Sequence, residues 1–244
     1  MRALAIALFA ALLTAGPQPA AAQDPLDLSS IYSAEVFQQD VIAMGKPVLA
    51  TGPDGGAPSG EEQDPAVQQA LTYDPSPEVE RRTRQKLFDS LITSTSDPTV
   101  QAQIEKTVAS DAVWQQFHQV LSKAGYSTNN LADVTAAYYI IAWEVVNGPD
   151  AAAHAAGVQA VRADVVAAYA ADPRLKDLTD ADKQEAASIM AYMATIAAAS
   201  ANQLRSAGNQ AGLETLQDEV HKVVLSQGLD LAQLRLTDQG FAAR

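Results

Sequence analysis

An all-α bundle of about six helices is predicted by three observations. Apolar residues recur at helical spacing along residues 76–244, start and stop signals punctuate them, and no strand–turn–strand pattern of any length intervenes. Two further segments precede the bundle, so the chain divides into residues 1–22, residues 23–75 and the helical domain 76–244.

Residues 1–22 have the layout of a secretory signal peptide. Arg2 follows the initiating Met1, residues 4–13 form an unbroken apolar run, Gly16, Pro17 and Pro19 break any helix, and Ala20, Ala21 and Ala22 offer small cleavage positions. Cleavage is expected between Ala22 and Gln23. A run of about ten apolar residues is too short for a permanent transmembrane anchor. The expected location is therefore exported, periplasmic or secreted, with no membrane insertion of the mature form.

Residues 45–65 are dense in Gly, Pro and acid, a composition that buries too little apolar surface to offset chain entropy. A flexible arm over 23–75 is expected. Within it Ile31, Tyr32, Val36, Phe37, Val41 and Ile42 form a short sticky element suited to docking on the domain or on a partner.

The first helix begins at Ser76-Pro77-Glu78, with a capping serine and a proline at the first helical position, and carries Leu87, Phe88, Leu91 and Ile92. Asp97-Pro98 repeats the signal and opens a helix or helix pair running to Ala124, with Val100, Ile104, Val108, Trp114, Phe117 and Leu121. Gly125 ends it. A third helix over 131–146 repeats Leu131, Val134, Tyr138, Ile141 and Val145, while Ile140 and Trp143 make its other sides apolar, so it should lie centrally. Asn147-Gly148-Pro149 stops it, and a fourth helix over 150–171 carries Val158, Val161, Val165 and Tyr169. A capping-box start at Thr179 opens a long fifth helix with Ile189, Met193 and Ile196 as its stripe. No charge falls between Glu185 and Arg205, but this stretch is mostly alanine, which contributes little to membrane insertion and permits close helix approach. Gly208 and Gly212 mark a turn before a sixth helix over 213–226, and the tail with Leu231, Leu234, Leu236 and Phe241 should pack back on the bundle.

Charge and composition exclude several functions. The chain holds 16 Lys+Arg against 29 Asp+Glu, a net charge of −13, which repels phosphate backbones and anionic headgroups. No nucleic-acid partner is expected. With no cysteine, there is no disulfide, thiolate catalysis or lipid attachment through cysteine. His118, His154 and His221 fall on different helices without a zinc spacing, so no metal and no cofactor are expected. No nucleophile elbow, phosphate-binding glycine loop or dinucleotide fingerprint occurs, and no catalytic residue is assigned.

The candidate binding residues are Asp133, Tyr138, Tyr139, Trp143 and Glu144. Asp133 and Glu144 share one side of the third helix at about 16 Å along its axis, too far apart for a glycosidase pair. Asn130 at the cap position lets the Asp133 carboxylate bond first-turn backbone. Glu144 either pairs with Arg162 or another base, or lines a groove. Tyr126, Tyr138, Tyr139 and Trp143 suit a sugar or peptide groove, and equally a packed core whose phenols reach partners. Arg81, Arg82, Arg84 and Lys86 are the one basic cluster, read as a solvated face or as contact for an anionic partner.

Asn130-Leu131-Ala132-Asp133 with Tyr138 and Trp143, then Lys183-Gln184-Glu185-Ala186, then Leu236-Thr237-Asp238-Gln239-Gly240-Phe241, resemble an exported bacterial family of unknown function. That resemblance, over residues 73–241, implies a signal peptide followed by an all-helical region and brings no activity or ligand. The expected function is a non-enzymatic binding or interaction protein of the cell envelope, whose partner is another envelope protein. The alternative is an envelope hydrolase using Asp133 or Glu144 beside the aromatic cluster.

Overall fold

In the computed structural model, residues 64–93 and 98–244 are described, apart from the side chains of Thr99, Val100 and Gln103. They form α1 (Pro65–Leu71), α2 (Pro77–Thr93), α3 (Pro98–Ala109), α4 (Asp111–Ala124), α5 (Leu131–Asn147), α6 (Ala155–Ala171), α7 (Asp180–Ala207), α8 (Gln210–Ser226), and strands β1 (Leu234–Thr237) and β2 (Gly240–Ala243). The class is all-α, as the periodicity predicts. The signal-peptide segment and the apolar element of residues 31–44 lie outside the described residues.

The helix ends sit where local chemistry puts them. Ser110 splits the expected helix pair, accepting from Ala112 N in an extended conformation before α4 begins. Gly125 closes α4 at φ 78°, a left-handed turn that a Cβ disfavours. Asn130 caps α5 by accepting from Ala132 N and Asp133 N. Thr179 and Asp182 cap α7 reciprocally. Two starts differ from expectation. The fourth helix begins at Ala155, because Ala151–Ala153 make a tighter 3-10 turn instead. The last begins at Gln210, since Asn209 accepts from Gly212 N and so draws Gly212 into the first turn.

α5 and α7 form the centre, packed along each other and covered by α2, α4, α6 and α8. Every α5 residue from Leu131 to Val145 is buried, as is every α7 residue from Lys183 to Ala198. Alanines on both helices let their axes come close, and Tyr138, Ile140, Ile189, Tyr192 and Met193 fill the remaining space. Each large side chain so enclosed contributes about 1.5–3 kcal/mol relative to exposure.

Packing begins earlier than the Ser76 boundary. Leu71 and Tyr73, inside the segment assigned to the arm, are 0% and 3% exposed. Tyr73 N donates to Asn129 O at 3.0 Å, Thr72 pairs with Asn130 as an isolated bridge, and Lys183 Nζ donates to the carbonyls of Ala70 and Thr72. This segment packs because its backbone groups find partners on α7 and the α4–α5 connection.

The two-stranded sheet is a correction to the expected strand-free chain. Leu234, Arg235, Leu236 and Thr237 pair antiparallel with Ala243, Ala242, Phe241 and Gly240, around Asp238 and Gln239. Strands of four residues are too short to register as alternation. The tail does fold back, with Leu231, Leu234, Leu236 and Phe241 all buried. The hairpin lies against α6 through Gly157, where an added Cβ would stand 1.8 Å from Thr237 O.

Gly157→Ala is therefore expected to lift the hairpin from α6 and lower stability by about 1–3 kcal/mol. Urea unfolding followed by tryptophan fluorescence measures this, and unchanged stability would show that the hairpin is loosely seated.

Candidate functional site

The five residues predicted for binding occupy the central helix, and each is 6% exposed or less. Asp133 accepts from Ser127 N at 2.7 Å and from Arg162 Nε at 2.5 Å. Asn130 caps the helix, but the Asp133 carboxylate reaches back to Ser127 N rather than to first-turn backbone. Arg162 also stands over the Tyr126 ring at 5.8 Å. Arg162 thus belongs to Asp133 and not to Glu144, because α6 sets it beside the N-terminal end of α5, about three helical turns from Glu144. Removing one partner of such an enclosed pair costs about 3–5 kcal/mol.

Glu144 sits near the opposite end of α5. Its Oε1 accepts from Ala151 N at 2.9 Å, holding the 3-10 turn of residues 151–153 against the helix. Arg205 of α7 donates to the carbonyls of Glu144 and Val145, both at 3.2 Å, so its charge lies at the helix C-terminus. Burial raises the Glu144 carboxyl to about 7, against the lowering effects of the backbone donors Ala151 and Asp150 and of Arg205. Burial likewise pulls the Arg205 guanidinium down.

The aromatics are core. Tyr138 and Tyr139 rings lie 5.3 Å apart, and burial raises both phenols. Gln227 Nε2 donates to the Tyr138 hydroxyl at 3.4 Å, while Gln227 Oε1 is buried without a hydrogen-bond partner among the described residues. Trp143 packs on Phe241 at 6.2 Å and donates Nε1 to Leu234 O at 3.1 Å.

The basic cluster of α2 is largely engaged inside the molecule. Arg82 and Lys86 both pair with Glu185, and Arg84 bridges Glu80 and Asp111. Arg81 remains exposed. His118 contacts Ser122, His154 stands between Asp150 and Asp238, and His221 meets Asp230 at 2.8 Å. Among the described residues no group of three or more metal-ligating side chains forms.

One of the five predicted residues reaches a surface recess. A cleft of about 420 Å³ opens where the hairpin meets the end of α5, lined by Trp143, Asn147, Asp150, Arg235, Leu236 and Arg244. Asn147 organises it. Its Nδ2 donates to Trp143 O and Leu231 O, and its Oδ1 accepts from Arg244 Nη2 at 2.6 Å. Arg244 Nε also donates to Leu234 O, the same carbonyl that receives the Trp143 indole. The Arg235 side chain is exposed and makes no hydrogen bond or ion pair among the described residues. The volume is within the range of small-ligand sites. Arg235, Arg244, Asn147 and Asp150 escaped the sequence reading. The available signal was Arg235, a lone cation between Leu234 and Leu236.

A family model described as "Family of unknown function (DUF6683)" matches residues 1–244. No curated protein and no solved structure matches the chain.

The Glu144 environment carries a pH dependence of defined sign. Its carboxyl holds a proton to about 7 in the folded protein, against 4.5 ordinarily, so its burial penalty is absent below the lower value and complete above the higher. Half-buried Asp164, raised to about 6 by burial, adds a slope of the same sign. Between about pH 4.5 and pH 8, Glu144→Gln should gain on the native protein by roughly 3 kcal/mol. Urea unfolding of both proteins across that range tests it, and parallel pH profiles would show that Glu144 is well solvated.

Proposed function

From the premise that the chain belongs to DUF6683, a family of unknown function, we propose that it is an exported, non-enzymatic binding protein of the cell envelope. The observation that carries this reading is the division of polar chemistry between core and cleft. The acids suited to catalysis, Asp133 and Glu144, are engaged by Ser127, Arg162 and Ala151. The cleft instead presents arginines, an amide and an aromatic edge around residues Arg235, Arg244, Asn147 and Trp143. These groups recognise and orient; none is a nucleophile with an adjacent base. The exported location is supported by the charged start, apolar run and small residues of positions 1–22.

The partner we propose is another envelope protein or a small ligand met in that compartment. Affinity capture from envelope extract, with residues 23–244 as bait, should retain a stoichiometric partner, or small-molecule mass spectrometry of the eluted bait a bound ligand. Neither would remove the binding reading. Sequencing the amino terminus of protein recovered outside the cytoplasm should begin at Gln23; an intact Met1 on that protein would remove cleavage.

A further inference from the structure

We infer that the cleft between the hairpin and the end of α5 binds a monoanionic carboxylate carried on an apolar body. This rests on the binding-protein reading and names the ligand chemistry of its site.

The argument begins with the donors. Arg244 is held in place before any ligand arrives, by Leu234 O at 3.1 Å and Asn147 Oδ1 at 2.6 Å. Those two bonds use only part of a five-donor guanidinium. Arg235 lines the same recess with its donors uncommitted among the described residues. A planar guanidinium fork matches the two oxygens of a carboxylate, and pre-positioning reduces the ordering lost on binding.

The remaining lining sets what the carboxylate is attached to. Trp143 and Leu236 are 3% and 4% exposed, so they form an apolar floor beneath the charged rim. An apolar body placed there covers what little of the indole and the leucine side chain remains open. Fixed polar groups above an apolar floor is the usual construction of a small-ligand site.

Two features limit the ligand's charge. Asp150 is on the rim, with a side chain 62% exposed that reaches only His154 at 3.6 Å among the described residues. A second negative charge on the ligand would meet that carboxylate. The whole chain, at −13, also repels multiply charged anions at longer range. A single carboxylate is therefore favoured over a phosphate dianion. The same chemistry is offered by a free branched-chain acid and by the C-terminal residue of a peptide.

The chain contains two tryptophans. Trp114 lies on α4, away from the cleft lining, so in Trp114→Phe the fluorescence reports Trp143 alone. This protein is titrated with 4-methylpentanoate, with a tetrapeptide ending in leucine, with the corresponding neutral amides, and with inorganic phosphate. At least one carboxylate should give a saturable change, and its amide should bind at least tenfold more weakly. Adding Arg235→Ala should weaken the carboxylate at least tenfold. That side chain is exposed, and unchanged near-ultraviolet circular dichroism confirms an intact fold. A tenfold preference between acid and peptide identifies the source. Equal binding of acid and amide, phosphate as tight as the acid, indifference to Arg235→Ala, or no saturable change overturns the inference. If a protein partner is still captured from extract in those cases, the broader binding reading stands; if capture is empty as well, both fall.

Discussion

α5 and α7 lie against each other with nearly every side chain shut off from water, and that enclosure governs the rest of the fold. A buried helix can bring in polar side chains only where partners wait inside the protein. The first buried turn of α7 shows how the condition is met. Lys183 reaches the carbonyls of Ala70 and Thr72, Gln184 exchanges hydrogen bonds with both backbone groups of Ser76, and Glu185 takes Arg82 and Lys86. Further along, Ser188 donates to Glu80, which Arg84 also holds. The segment from α1 through α2 is consequently registered on α7 by charge and hydrogen bonding as much as by apolar contact.

The same constraint explains the fate of the α5 acids. Asp133, at the helix start, finds a backbone donor and an arginine from α6. Glu144, near the other end, has backbone donors and a more distant cation whose hydrogen bonds go to main-chain carbonyls. The two carboxylates share one helix side yet meet different partners: Asp133 touches an arginine directly, whereas burial raises Glu144, beside which Arg205 bonds main-chain carbonyls. Glu144 works as a clasp on the turn after α5, and that turn supplies Asp150 to the cleft rim.

Much of the helical framework was legible in the residues because helix ends are decided locally. Ser76, Asn130 and Thr179 act on backbone within a few positions, and Gly125 and Gly208 stop their helices where expected. The central position of α5 was readable from Ile140 and Trp143 on its off-stripe sides. Other features depended on distant chain. α1 and the residues just after it pack through bonds from Lys183 to Ala70 and from Tyr73 to Asn129, more than fifty residues apart in each case, which composition does not encode. The hairpin has strands of four residues, too short for periodicity. Arg162 found Asp133 rather than Glu144 because of how α6 lies along α5, a tertiary fact. The motifs that suggested the family, Asn130–Asp133, Lys183–Ala186 and Leu236–Phe241, fall at three seams of the fold: the α5 cap, the α7 grip on the α1–α2 segment, and the hairpin. The family match extends beyond the 73–241 stretch to the whole chain.

The Leu234 carbonyl, which receives both the Trp143 indole and Arg244, sits ninety-one residues after Trp143. During synthesis the helix bearing Trp143 emerges long before that acceptor exists. Until the hairpin arrives, the indole donor lacks its acceptor, Phe241 is missing from its ring face, and the notch at Gly157 stands open. A nascent chain can assemble its helices on the ribosome, but closing the core waits for residues 234–243. Closure of the core is thereby a long-range event, joining residues 234–243 to a helix made ninety-one residues earlier.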